Sequence, residues 1–538
     1  MDRFKILWIG ILLFTGCAKI VAPVGGPRDT TPPKVVKETP LNGSVNFNSQ
    51  TIKITFNEFV TLNNPLENII FSPPLSQSAD YSIKGKSVII TWKDTLSPNT
   101  TYSLVFADAI KDYNEGNLLN LYQYAFSTGT QIDTVKLSGT LKNAESRQPE
   151  KGVFVFLYNQ NTDSLPYTNR PTYLTKTNEN GAFTFQNIKQ ESYKIFALKD
   201  INSNLIFDLQ NEGIAFSNET VIPDTNLIIE LAYFIEKDTV QKILTPINQQ
   251  KGAYLIPLKI PCDSENSIKT TILYPEEILH QVQLNKTMDT ISYFFYQEFS
   301  DSVVVEVNLS EWDKTDTLTF LPYKPPFRVG RTKLEPKLNL QTNYNGDLYA
   351  PLTLNFSFPI QPAHNIETII IKKGNEQNDT ITERFQIDGK LIKSFPIPYT
   401  FEPKTGYEIL FRDSLFFGWD GTTNDSLFVK FTTKNERDYG SLTMTYNVPE
   451  GEINYVIYLL DETKKVIQQN TISKSQLISY RNLTPGSYKI KVIVDRNSNG
   501  KWDTGSYKNK TQPERILFFE KPISIRAFWD LEETFDIR

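Results

Sequence analysis

Two cysteines, two histidines and three methionines are spread over 538 residues, and each scarcity removes a class of chemistry. Cys17 and Cys262 are too few for a disulfide framework, so stability has to come from apolar cores. His280 and His364 stand apart, in Leu279-His280-Gln281 and Ala363-His364-Asn365. With no HExxH and no G-x-S-x-G, neither a histidine-based zinc site nor a serine–histidine triad can be assembled, and a hydrolase is the least supported reading. A surplus of one charge is missing too: 56 basic residues face 61 acidic ones, interspersed, for a net charge of −5. That argues against nucleic acid or an anionic membrane surface as partner. Long apolar runs are also lacking. The run Ile6 to Phe14 falls short of the roughly 20 residues that a spanning helix needs.

That short run nevertheless has an order to it. Arg3 and Lys5 precede it and Thr15, Gly16 and Cys17 follow, which is the pattern of a signal peptide over residues 1–16. The segment Phe14-Thr15-Gly16-Cys17 resembles the bacterial lipobox, with Phe14 in place of the usual Leu or Val. The resemblance implies cleavage before Cys17 and its acylation, which supplies the two lipid signals that stable membrane attachment requires. It would also leave Cys262 without a disulfide partner. The plainer reading is ordinary signal cleavage beside a chance cysteine. Residues 17–33 are rich in Gly and Pro and read as a tether.

Beyond the tether, Val, Ile, Phe, Tyr and Thr recur in short alternating runs between Asn, Asp, Gly and Pro, as in Ile52 to Glu58 and Tyr102 to Phe106. The periodicity predicts an all-β chain of about five domains of roughly 100 residues. Thr39-Pro40-Leu41-Asn42-Gly43, Phe56-Asn57-Glu58-Phe59-Val60, Leu96 to Tyr102, Ile110-Lys111-Asp112 and Phe126-Ser127-Thr128 resemble the bacterial Ig-like domain family known from S-layer proteins, which supplies sandwich modules. This places one domain at 34–130. Residues 134–236 resemble the carboxypeptidase regulatory-like, transthyretin-like family, through Leu137 to Leu141, Val153 to Tyr158, Thr177 to Phe185 and Ser192 to Ile195. Asn180-Gly181 between two of these runs is a hairpin signal. Residues 187–208 align without a gap on 482–503, so 436–538 reads as a second transthyretin-like copy. Leu352 to Phe356, Phe401 to Tyr407 and Phe431-Thr432-Thr433 echo the first Ig-like unit and place a second one at 330–435. Residues 237–329 are expected to form a sandwich on periodicity alone. The fold class is thus a tandem array of Ig-like and transthyretin-like β-sandwiches.

The aligned repeats share Asp-x-Asn-x-Asn-x-x-x-Asp: Asp200, Asn202, Asn204 and Asp208 in the first, Asp495, Asn497, Asn499 and Asp503 in the second. Such oxygens can converge on Ca²⁺, and Gly500 permits the sharp turn where the first copy has Leu205. Against this, the twelfth position holds Asn211 or Ser506 rather than a bidentate Glu, and Asp and Asn also simply close turns. Asp108, Asp112 and Glu115 likewise read most simply as a turn. Trp312 and Trp419, in polar stretches, are candidates for stacking on sugars.

Asp followed by Ser or Thr and an apolar residue recurs at Thr95, Thr134, Ser164, Thr239, Thr290, Ser302, Thr317, Thr380, Ser414 and Ser426. The pattern resembles the O-glycosylation sequon of Bacteroidota; it also describes a turn running into a strand. Taken with the lipoprotein resemblance, it implies an outer-membrane lipoprotein that binds or scaffolds within a membrane protein assembly. The rival is a cell-surface carbohydrate-binding or adhesive protein. Surface export in that group follows an acidic run after the cysteine, and Ala18-Lys19-Ile20-Val21-Ala22 is not acidic, which points to the periplasmic leaflet.

Overall fold

In the strand Thr51–Phe56, Ile52, Ile54 and Phe56 are buried while Lys53 is exposed between them, so the period-two pattern of the sequence becomes one face of a sheet. The same logic runs through the chain. The computed structural model describes residues 29–537, apart from 120–121, 225–226, 251, 277, 286, 296–298, 325–332, 341–344, 362, 374–377, 388–391, 419–420, 450 and 452. Cys17 therefore lies outside the described residues. Strands dominate, with helix limited to short turns such as Pro65–Asn68 and Leu165–Thr168. The chain divides into two compact units, one of Met1–Asn143 with Gln148–Tyr233, the other of Ala144–Arg147 with Phe234–Arg538.

The first unit opens with a four-stranded sheet (35–39, 51–56, 87–91, 80–84, in spatial order) facing a three-stranded one (69–72, 101–106, 122–127). Trp92, Phe56, Phe106, Tyr124 and Phe126 fill the space between them. Tyr102 to Phe106 departs from the expected alternation. Thr101, Tyr102, Ser103 and Leu104 are all buried, because Ala182–Ile188 of the next sandwich lies against this strand. Polar groups at that junction are paired: Leu174 N donates to Ser72 Oγ at 3.1 Å, and Arg170 donates to the carbonyls of Leu75 and Ser76 at 2.9 and 3.0 Å.

The second sandwich is a seven-stranded sheet ordered 173–176, 154–158, 194–198, 213–216, 228–235, 135–143, 182–188. Its last strand, Ile228–Ile235, closes it by running parallel to Val135–Asn143. Gly139 has to be glycine there, since a Cβ would sit 2.4 Å from both the Ile229 carbonyl oxygen and Phe183. Asn180-Gly181 does form a tight turn, with Gly181 at φ +68°. It is not a paired hairpin, however. The strands that it joins, Tyr173–Lys176 and Ala182–Ile188, lie at opposite ends of the sheet order, and Tyr173, Phe183 and Phe185 belong to one core.

The second unit holds three more sandwiches. Sheets 247–250, 253–257, 290–295, 280–284 and 268–274, 303–309, 314–320 enclose Tyr254, Tyr293, Phe295 and Phe320. Next come a three-stranded sheet (336–338, 353–360, 392–396) and a five-stranded one (345–346, 427–433, 406–411, 363–373, 378–387), packed around Phe356, Phe395, Phe411 and Phe416. In the last sandwich Asp530–Asp536 runs parallel to Gly440–Asn447, repeating the closure of the second one.

The first and fourth sandwiches share a corner bond for bond. Tyr102 Oη accepts from Ser97 N at 2.9 Å, and Tyr407 Oη accepts from Glu402 N at 2.9 Å. Thr128 Oγ1 accepts from Thr100 N and donates to Ser97 O, just as Thr433 Oγ1 does with Thr405 N and Glu402 O. The motif noticed as Leu96 to Tyr102 and Phe401 to Tyr407 is thus a tyrosine-and-threonine clasp. Val at either threonine keeps the shape and removes both bonds. Thr128→Val is expected to cost about 1 kcal/mol, and the more buried Thr433→Val about 2 kcal/mol, in chemical unfolding followed by fluorescence. No loss at either position would count against the clasp.

Candidate functional site

The repeated acidic loops each begin where a central strand ends: Lys194–Leu198 leads into Asp200, and Gly486–Asp495 ends on Asp495 itself. In the second loop Asp495 accepts from Asn499 N at 3.1 Å and Gly500 N at 2.8 Å. Asn497 and Asn499 both donate their carboxamide N–H to Asp503 Oδ2 at 2.6 Å. The first loop repeats this: Asp200 accepts from Asn204 N and Leu205 N, and Asn202 and Asn204 donate to Asp208. Leu205 takes φ +61° where Gly500 has φ +75°, so the turn is reached without glycine, at the cost of a left-handed leucine. The four residues expected in each loop are therefore brought together.

Sequence reasoning missed the fifth member. Glu212 is fully buried and accepts from Ile201 N, Asp208 N and Leu209 N at 3.0, 3.3 and 3.2 Å. Glu514 does the same in the second copy, accepting from Arg496 N at 2.8 Å and Asp503 N at 3.1 Å. Burial pushes the Glu514 carboxyl above the usual carboxylate range; the two N–H bonds oppose this and the neighbouring Asp503 and Asp495 reinforce it. The signal was present in the sequence as Asn211-Glu212, one residue beyond the twelfth position. In the second copy Glu514 follows a longer excursion, so no fixed spacing reveals it.

Each loop is thus a turn whose carboxylates are satisfied by backbone and carboxamide N–H groups. Among the described residues, no group of three or more His, Cys, Asp or Glu is arranged to hold a metal ion. The donor set still contains what a hard cation takes. Two carboxylates and two carboxamides ring one loop, and a cation would have to turn the Asn497 and Asn499 amides so that oxygen rather than nitrogen faces Asp503.

The remaining candidates are dispersed. Asp112 is buried and closes its own turn by accepting from Glu115, Gly116 and Asn117 N–H. Desolvation works to raise its pKa, but these bonds outweigh it and hold the carboxyl below the ordinary value. Trp312 is half-buried against the third core, and Trp419 lies outside the described residues. His280 stacks on Tyr293 at 5.2 Å and 7°. His364 is on Ala363–Lys373, its side chain outside the description. Of the Asp-Ser/Thr positions, Thr95, Thr134, Ser164, Thr239, Thr317, Ser414 and Ser426 are exposed, and Thr290 and Ser302 are half-buried. Thr380 lies on Asn378–Ile387, its side chain likewise outside the description.

Two clefts are lined in part by charged side chains. One of about 390 Å³, in the first unit, is lined by Phe71, Phe154, Leu174, Arg170, Lys176 and Lys199. Its cations bond to carbonyl oxygens: Arg170 as above, Lys176 to Glu67 at 3.4 Å and Lys199 to Lys151 at 3.4 Å. The other, of about 480 Å³ in the second unit, includes Asp347, Phe401, Asp461 and Tyr488. Asp461 is committed to the Thr463 and Lys465 N–H groups of its own turn.

No curated protein matches the chain. Solved structures similar to it include the S-layer protein rSbsC, with 11% identity over 91% of this chain and 66% of that one at a TM-score of 0.13. Others are the major pilin subunit BcpA of Bacillus cereus (12%, 75% and 99%, TM-score 0.15) and the Bacillus anthracis TIE protein (11%, 95% and 76%, TM-score 0.15). TM-scores this low carry no information about function. Residues 29–128 match the model of the bacterial Ig-like domain family, the family whose motifs the first sandwich displays.

Proposed function

We propose that the chain is a non-catalytic, lipid-anchored protein of the outer membrane of a Bacteroidota-like cell, binding or scaffolding within a membrane protein assembly. The observation that supports this is how buried polar groups are used. Asp112, Glu212, Asp495 and Glu514 all hold backbone N–H groups, and Arg170 ties one sandwich to the next. A fold that commits its carboxylates to architecture is suited to presenting surfaces rather than to proton transfer. The exposed Asp-Ser/Thr turns would carry O-linked glycans. A tagged chain drawn from detergent-solubilised envelopes is expected to bring down an outer-membrane protein in comparable amount. A double change of His280→Gln and His364→Gln should recover as much. Recovery of no membrane protein would sink the assembly reading, and lost cellular function at unchanged melting temperature in the double variant would sink the non-catalytic one.

The acidic loops would bind Ca²⁺ in this reading, the second through Asp495, Asn497, Asn499 and Asp503. Only two of these are charged, so the expected dissociation constant is about 10⁻⁴ to 10⁻³ M. Millimolar Ca²⁺ should raise a thermal unfolding transition of the full chain by about one to a few degrees relative to chelator. Asp495→Ala combined with Asp503→Ala should abolish the difference. Identical melting of the wild type in both buffers would leave the loops as hydrogen-bonded turns.

A further inference from the structure

The turn between Ile523–Ile525 and Asp530–Asp536 carries two adjacent aromatic residues, Phe528 and Trp529, that are 76% and 49% exposed. They are held outward by construction. Phe528 sits at φ +55°, a left-handed conformation that is costly for a bulky side chain. Its N–H donates to Tyr439 O at 2.8 Å, and Trp529 O accepts from Ser441 N at 2.9 Å. Gly440 makes the approach possible, since a Cβ there would meet Arg526 O at 2.4 Å and Trp529 O at 2.8 Å.

Each ring has a guanidinium over it. Arg437 Cζ lies 5.4 Å from the Phe528 centroid and Arg526 Cζ 4.9 Å from that of Trp529. Neither guanidinium forms a hydrogen bond or ion pair with another described residue. The neighbouring carboxylates are turned to the protein: Asp438 accepts from Asn435 N at 2.7 Å, and Asp530 accepts from Ser441 Oγ. The same turns also carry the exposed Glu436, so two guanidiniums without a hydrogen-bond partner among the described residues share them with three carboxylates, two of which are bonded to the protein.

We infer that this turn is a binding site for a carboxylate-bearing glycan. A pyranose offers a C–H face that stacks on an aromatic ring and oxygens at its edge, and a uronate adds a carboxylate that matches the bidentate fork of arginine. With no hydrogen bond to another described residue, each guanidinium keeps its N–H donors for such a ligand. Two isolated rings suit an anionic bilayer poorly, because the apolar area is small. The site is independent of the anchor and of any protein assembly.

Calorimetric titration of the full-length protein with hexagalacturonate tests this. Binding is expected, and Trp529→Ala, Phe528→Ala and Arg526→Gln should each weaken it by about tenfold or more at unchanged melting temperature. Arg526→Lys keeps the charge and loses the fork, and should also weaken binding without touching the fold. The methyl ester of the same hexamer should bind at least about tenfold more weakly. Absence of heat with hexagalacturonate, equal binding of the ester, or unchanged affinity in Trp529→Ala would overturn the site. So would binding to phosphatidylglycerol vesicles that the same substitutions remove.

Discussion

Replacing Glu212 by Ala is expected to destabilise the sandwich of residues 135–235 by about 3–5 kcal/mol, enough to remove most of a typical domain's stability. The size follows from what the carboxylate does. It is fully buried, and three backbone N–H groups, of Ile201, Asp208 and Leu209, end on it. A hydrogen bond to a charged group contributes about 1.5–3 kcal/mol, and a donor stranded away from water costs about 1–3 kcal/mol. These values do not simply add, because water would enter part of the space. Glu212→Gln keeps the volume and one acceptor oxygen but turns an N–H₂ toward a backbone donor, so it should fall between wild type and Ala. Thermal or urea unfolding of the three proteins, read by near-ultraviolet circular dichroism, gives the order. An Ala variant within 1 kcal/mol of wild type would mean that the loop is held by Asp200 alone.

Glu212 also marks the limit of what the sequence could reveal. The alternation of Ile52, Ile54 and Phe56 is legible because one face of that strand meets a core within its own sandwich. The same inspection misjudges Thr101 to Leu104, since the burial of their second face comes from the next sandwich, which no local pattern encodes. Asn180-Gly181 correctly marks a turn, yet the flanking strands lie at opposite ends of the sheet order and share a core instead of pairing, which no local pattern encodes. At the acidic loops the gap-free repeat ends at Asp503, whereas the buried glutamates return from different distances along the chain, after Asp208 in one copy and well past Asp503 in the other. Phe528-Trp529 was equally silent. Adjacent aromatics on a strand would put one ring inside, whereas these two lie in a turn before Asp530–Asp536 and are both exposed.

Cys17→Ser is expected to move the whole protein from the membrane fraction to the soluble envelope fraction, the largest single change that any substitution here should produce. Residues 1–16 and the Phe14-Thr15-Gly16-Cys17 segment motivate it. Each buried methylene of a lipid chain contributes about 0.8 kcal/mol of membrane affinity, so a diacyl or triacyl anchor outweighs any weak contact of a surface loop. Among the described residues no helix is long and apolar enough to take the anchor's place. Fractionation of cells expressing wild type and variant, with incorporation of labelled palmitate into the wild type, reads the outcome directly. Hexagalacturonate binding by the released Cys17→Ser protein should be unchanged, because Phe528 and Trp529 belong to the last sandwich and do not depend on the tether. A variant that still partitions with membranes, together with a wild type that takes up no label, would remove the anchor and with it the outer-membrane reading, while leaving the glycan site to be judged on its own titration.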